Sequence, residues 1–160
     1  MNASGKNMPE LDDTDRRILR LLQRDSTLST QALAEKAGLS ASPAWRRVRR
    51  MIESGMIRRQ VALIDPAQAG LHAMAYVQVS LLDHTEQSLA RFDRFVQTED
   101  QIIECATITG TSDYHMKIIA PDPEGLEDFI MRRLLALGIV RGTVTNFVLR
   151  QTKYTTAMPL

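Results

Sequence analysis

From Ser40 to Gly55 the chain runs Ser-Ala-Ser-Pro-Ala-Trp-Arg-Arg-Val-Arg-Arg-Met-Ile-Glu-Ser-Gly, and at about 100° per residue this stretch sorts into two faces. Ala44, Val48, Met51 and Ile52 share one arc, while Ser42, Trp45, Arg46, Arg49 and Arg50 lie on the other side. A segment patterned this way is constrained to be a surface helix. Its apolar arc must dock on neighbouring elements, and its basic arc must stay in water or meet a polyanion. Trp45 falls at the edge of the two arcs, so the expectation is that its indole packs against the domain and does not read bases.

The formal net charge of +1 conceals how this basicity is distributed. The first sixty residues hold twelve Lys/Arg against seven Asp/Glu, and the remaining hundred hold eight against twelve. Six arginines and one glutamate fall between residues 40 and 60, so a polyanionic partner is expected for the first part alone.

Upstream, Leu11 to Asp25 places Leu11, Ile18, Leu19 and Leu22 on one helical stripe, with Asp12 and Asp13 at the favourable end of the dipole. A short helix follows, capped by Ser29 and closed by Gly38, after which Ser40 can cap the arginine-rich helix. Two helices joined at a glycine make a helix-turn-helix. Met56 to Ile64 is β-prone and ends at Asp65-Pro66, as the hairpin wing of a winged helix would.

Beyond Gly70 the period changes. His72 to Leu82 alternates Ala73, Ala75, Val77, Val79 and Leu81 against polar or mixed neighbours, which predicts a strand with one core face. A helix from about Thr85 to Val96, strands Ile102 to Thr109 and Tyr114 to Ala120, a helix opened by Asp122-Pro123 and a last strand Thr143 to Arg150 complete the order βαββαβ. That order implies a ferredoxin-like sandwich, so the whole chain reads as α+β. Met74, Tyr76, Cys105, Thr107 and Phe147 are candidates for the face the helices leave uncovered, and face-to-face homodimerisation would cover it.

Several function classes find no support. The single cysteine, Cys105, cannot form an internal disulfide, and His72, His84 and His115 lack metal-ligand spacing. No nucleophile–base pair or phosphate loop marks an enzyme, so no catalytic residue, metal or cofactor is expected. No apolar run reaches membrane-spanning length, and Met1 to Glu10 lacks the apolar core of a signal peptide. A cytoplasmic protein without membrane contact is the expectation.

The chain resembles the Lrp/AsnC (leucine-responsive, feast/famine) transcription regulators from Leu11 to Leu160. The resemblance rests on Leu11-Asp12-x-x-Asp15-Arg16-x-Ile18-Leu19-x-x-Leu22-Gln23-x-Asp25, on Leu33-Ala34-x-x-x-Gly38-Leu39-Ser40, on the spacing in Arg47 to Ile57, on Gly110-x-x-Asp113-Tyr114 and on the tail Lys153 to Leu160. It implies a winged helix-turn-helix over residues 8–64, a hinge over 65–71 and a ferredoxin-like, RAM/AsnC-type effector and oligomerisation domain over 72–160. It further implies binding to double-stranded DNA, a homodimer that assembles further, often to an octamer, nucleoid association, and an amino-acid effector near the Gly-x-x-Asp-Tyr turn. The chain departs from the family's usual residues at Ala41, Ala44, Trp45 and Arg46, so base preference is not carried over, and Leu137-Gly138-Ile139-Val140 replaces the family's common Leu-Pro-Gly-Val.

The candidate DNA contacts are Ser40, Ser42 and Pro43 at the start of the arginine-rich helix, Arg46 and Arg49 on bases, and Arg47, Arg50 and Arg58 on phosphates. Pairing of some arginines with Asp12, Asp13 or Glu53 is the competing use. For the effector, the turn would offer amides to a carboxylate, and Asp113 or Glu104 would receive an ammonium. Thr107, Gly110, Thr111, Tyr114, Thr145 and Phe147 are the remaining candidates. Gly110 and Asp113 also suit a turn for backbone reasons alone. Cys105 reads as a small buried residue and His115 as a surface or interface residue. An architectural DNA-binding oligomer without an effector is the alternative.

Overall fold

The computed structural model describes residues 11–160. The expectations placed on Met1 to Glu10, including the start of the first domain at residue 8, lie outside the described residues. The chain divides into two compact units, one comprising residues up to Ala62 together with Lys153–Leu160, the other Leu63–Thr152.

Three helices make the first unit: α1 (Asp13–Leu22), α2 (Thr30–Ala37) and α3 (Ala41–Glu53). Asp12 caps α1 by accepting from the Asp15 amide at 2.7 Å, and Ser29 caps α2 by accepting from Ala32 at 3.2 Å. Gly38 ends α2 at φ +70°, which lets the Leu39 amide reach the Ala34 carbonyl and leaves only Gly38, Leu39 and Ser40 between α2 and α3. Ile18, Leu19, Leu33, Ala37 and Met51 form the core, with Val48 and Leu160 packed against it. Gly38→Ala is expected to lower this unit's stability by about 1 kcal/mol, because a Cβ disfavours the left-handed conformation. An unchanged urea midpoint would remove Gly38 from the helix-ending role.

Ser40 does stand at the N-cap of α3, but its hydroxyl bonds to no amide there. Residues 56–64 carry no strand. A hairpin wing needs a second strand to pair with, and after Ile64 the chain instead closes a tight turn in which the Asp65 carboxylate accepts from the Ala67 amide at 2.9 Å.

The second unit contains β1 (Ala73–Leu81), α4 (Glu86–Thr98), β2 (Ile102–Thr107), β3 (Tyr114–Ala120), α5 (Pro123–Asp128) and β4 (Val140–Phe147). A π-helical stretch, Phe129–Leu134, and a short 3-10 turn, Leu135–Leu137, continue α5. The strands form one antiparallel sheet in the order β2-β3-β1-β4. This is the expected ferredoxin-like arrangement. The alternate residues Ala73 to Leu81 of β1, with Met116 and Ile118 of β3, bury against Phe92, Phe95, Leu126, Phe129 and Leu134 on one face.

Pairing corrects two details. The last strand begins at Val140, three residues before the expected start, because Gly138 (φ +66°) ends the helical stretch and β1 extends far enough to pair Val140 with Leu81 across a bulge. Cys105, Thr107 and Phe147 do not belong to the uncovered face. They pair with Met116, Tyr114 and Ala75, all on the helix side. A register irregularity between Ile102 and Glu104 shifts the parity of β2, which simple alternation does not register. The uncovered face carries Met74, Tyr76, His115, Lys117, Val144 and Asn146, with the Tyr76 and His115 rings stacked at 5.3 Å.

Candidate nucleic-acid interface and effector turn

The exposed side of α3 is set by what its other side buries. Ala44 and Met51 are fully buried, which turns Ser42, Trp45, Arg46 and Arg49 outward along one surface. The arginines on that helix divide by partner. The Arg47 guanidinium donates to Asp12 at 2.6 Å and to Asp15 at 2.9 Å, and Arg50 donates to the other oxygen of Asp15 at 2.5 Å. Asp15 is only 1% exposed, so this pair of bonds anchors α3 to α1. Asp12 sits below the usual carboxylate range, chiefly because it accepts from the Asp15 amide and then from Arg47. Arg49 bonds to Glu53 at 2.6 Å, one turn on, with both groups exposed, and its guanidinium lies 5.2 Å from the centre of the Trp45 ring. Among the described residues Arg46 and Arg58 have no acidic partner, and both are exposed.

Two of the expected competing partners, Asp12 and Glu53, therefore take arginines, and Asp15 is a further partner outside that expectation. Its signal was available: Asp15 sits inside the apolar stripe Leu11, Ile18, Leu19, Leu22, where a charge must find a buried partner. Trp45 also departs from expectation. It is 49% exposed, because the tightly packed line through Ala44 and Met51 leaves it on the solvent side.

In the second unit, the turn after β2 brings Thr107, Gly110, Thr111, Asp113 and Tyr114 to one end of the sheet. Gly110 has φ +122°, a conformation that L side chains rarely adopt, and Thr111 is exposed. Asp113 is engaged by the fold itself. One carboxylate oxygen accepts from the Leu81 amide at 2.7 Å, the other lies 2.8 Å from Nε2 of His84, and its backbone bonds to Val79 and Ile108. Tyr114 is buried with its ring 4.3 Å from that of Phe92. Glu104 sits across from Lys117 on the uncovered face, and Thr145 and Phe147 are on the far edge strand, opposite Val77 and Ala75. At about 3.3 Å per residue, Phe147 stands about 20 Å and Thr145 about 13 Å along the sheet from the Leu81 end, and Glu104 lies on the uncovered face about 10 Å before Thr107, so within one chain these three stand away from the turn.

The Leu81 amide, then His84, holds the Asp113 carboxyl below its ordinary range, with the charge of Arg141 adding to the effect. A depressed folded-state value contributes stability that is complete above the unfolded value, about 3.9, and is lost as pH falls through the folded one. Asp113→Asn should therefore flatten the acid limb of the stability profile below about pH 4. Superimposable acid limbs for the two proteins would contradict this. Burial pushes the Cys105 thiol up to about 11, with Asp93 adding to it, so the thiol stays protonated and unreactive near neutral pH. Among the described residues no group of His, Cys, Asp or Glu is arranged to hold a metal ion, and no helix is long and apolar enough to cross a membrane.

With this geometry in view, residues 11–58 match the winged helix-turn-helix DNA-binding model, and residues 74–158 match the Lrp/AsnC ligand binding domain. The chain belongs to the Lrp/AsnC family. Among curated members, the DNA-binding transcriptional activator DecR of Escherichia coli K12 is 33% identical over 94% of this chain and 99% of its own. The Bkd operon transcriptional regulator of Pseudomonas aeruginosa is 35% identical over 96% and 100%. A transcriptional regulator of Neisseria meningitidis, solved as a complex with L-Met, superposes with a TM-score of 0.91 at 30% identity, covering 94% of this chain and 97% of that one. These Lrp/AsnC relatives are named as transcriptional regulators, and the helix-turn-helix followed by a four-stranded antiparallel sheet with helices is the fold this chain shares with the Neisseria structure.

Proposed function

We propose that this Lrp/AsnC chain regulates transcription as a homodimer, or an octamer built from dimers, that binds double-stranded DNA through α3 and responds to an amino acid. The observation that carries the DNA reading is the outward surface of α3, on which Ser42, Arg46 and Arg49 stand opposite the buried Ala44 and Met51. In this reading Arg46 and Arg49 meet base edges, and Ser40, Ser42, Pro43 and Arg58 meet the backbone. Arg47 and Arg50 reach phosphates with the N–H groups that Asp12 and Asp15 leave over, since a guanidinium has five. Residues 8–64 act as the DNA-binding domain, 65–71 as the hinge and 72–160 as the effector and assembly domain. A dimer places two such helices on one duplex, which calls for a pseudo-palindromic site and a nucleoid-associated place in the cytoplasm.

The effector reading is supported by the Neisseria relative's complex with L-Met and by the match of residues 74–158 to the Lrp/AsnC ligand binding domain. The ligand would sit at the turn, with the exposed Thr111 and the Gly110 backbone facing it and Asp113 holding the turn's shape. Glu104, Thr145 and Phe147 would join such a site from a second copy of the chain. The targets in this reading are genes of amino-acid metabolism.

The test is binding of the full chain to a random-sequence duplex pool, followed by affinity measurements on the enriched duplex with each amino acid added. Enrichment of a pseudo-palindrome is expected, with log affinity falling against log salt at a slope of about −5. Arg46→Ala with Arg49→Ala should weaken that complex at least about thirtyfold while leaving the dimer intact. Unchanged affinity in the double variant would sink the assignment of α3. Tight DNA binding that no amino acid alters would leave the architectural, effector-free reading instead.

A further inference from the structure

Resting on the reading of α3 as the DNA-contacting helix, we propose that Trp45 is a specificity-determining residue that reads pyrimidine C5-methyl groups in the major groove. Trp45 is the chain's single tryptophan, and it leaves 49% of its surface in water on the same side of α3 as Ser42, Arg46 and Arg49. It sits three residues after Ser42 and four before Arg49, so these three side chains are neighbours on the helix surface. The Arg49 guanidinium lies over the indole, 5.2 Å from the ring centre, and donates to Glu53 at 2.6 Å. The stack holds a bulky ring with few rotatable bonds on the outer surface of the helix, with about half of the residue's surface open to water.

Major-groove base edges present hydrogen-bond donors and acceptors and one apolar group, the C5-methyl of thymine, to which cytosine methylated at C5 adds the same feature. The carbon edge of an indole offers no hydrogen bond. Contact with a methyl group is the major-groove interaction that rewards its desolvation, whereas contact with a bare cytosine or purine edge leaves polar atoms unpaired. Arg46 and Arg49 on the same surface supply the polar reading of adjacent positions, so the helix combines one apolar reader with two basic ones.

The experiment uses the full chain and the duplex it enriches from a random-sequence pool. Thymines of each half-site are replaced one at a time by deoxyuridine, which removes only the methyl, and separate duplexes carry cytosine or 5-methylcytosine at the same positions. At one thymine per half-site, loss of the methyl should weaken binding about fourfold, and about fifteenfold when both half-sites are changed. Binding to 5-methylcytosine above cytosine at that position shows that the methyl is read whichever base carries it. Discrimination against uracil without a gain from 5-methylcytosine confines the reading to thymine. Trp45→Ala should still fold and bind and lose the thymine-over-uracil ratio, while Trp45→Leu keeps part of it. Equal affinity of the wild type for thymine and uracil duplexes, or the same ratio in Trp45→Ala, would overturn the proposal. If the wild type enriches no duplex at all, the DNA-binding reading falls first and this one with it.

Discussion

Asp15→Ala is expected to remove about 3 kcal/mol from the stability of the helical unit. The carboxylate is buried and divides its two oxygens between Arg47 and Arg50, while Asp12 takes a further bond from Arg47. Truncation leaves a small void and strips the two guanidiniums of their shared partner. Because Arg47 and Arg50 keep part of their surface in water, the cost falls at the lower end of what breaking a buried pair brings. Asp15→Asn, which keeps the shape and removes the charge, should cost less. In an Arg47→Ala background the Asp15→Ala cost should shrink by 1 kcal/mol or about that, since residues in one network do not add. Urea unfolding measures all three, and full additivity would show that Asp15 and Arg47 are not coupled.

Phe92→Ala should be costlier still, at about 4 kcal/mol for the second unit. Phe92 is fully buried in α4 with its ring 4.3 Å from that of Tyr114, and Phe95 stacks on Phe129 at 5.9 Å beside it. The cavity left by truncation would lie between the helix layer and β3, where the sheet cannot collapse without disturbing the register that sets the Gly110–Asp113 turn. Phe92→Leu, which refills part of the space, should cost about 1.5 kcal/mol. Equal midpoints for the wild type and Phe92→Ala would show that the helix layer does not depend on this ring.

Where a physical signal was local, it was legible in the chain. Ser29 and Gly38 bound α2 as their chemistry requires, and the alternation from Ala73 to Leu81 is the buried face of β1. What depends on pairing was not legible. The parity of β2 changes at Ile103, and that change decides on which face Cys105 and Thr107 fall. The start of β4 depends on how far β1 runs past Ser80. At the candidate interface, the arginine-rich face was readable from its period, but the choice of which arginines are tied down rested on Asp15, more than thirty residues away in the chain. The exposure of Trp45 is not encoded by periodicity, because an edge position on a helical wheel is decided by how closely the buried line approaches the neighbouring helices.

The closing residues of the chain give the helical unit an unusual order of assembly. Gln23 and Met158 exchange two hydrogen bonds, with the Met158 amide donating at 2.6 Å and the Gln23 side chain donating back at 3.2 Å, and Arg20 donates to the Leu160 carbonyl at 2.5 Å. Leu160 also packs against the apolar core of the helical unit. During synthesis the three helices leave the ribosome well before residues 153–160 do, so the contacts these residues make with α1 form only after the sheet unit has been made. A protein tag fused directly after Leu160 would be felt first by the unit at the opposite end of the sequence.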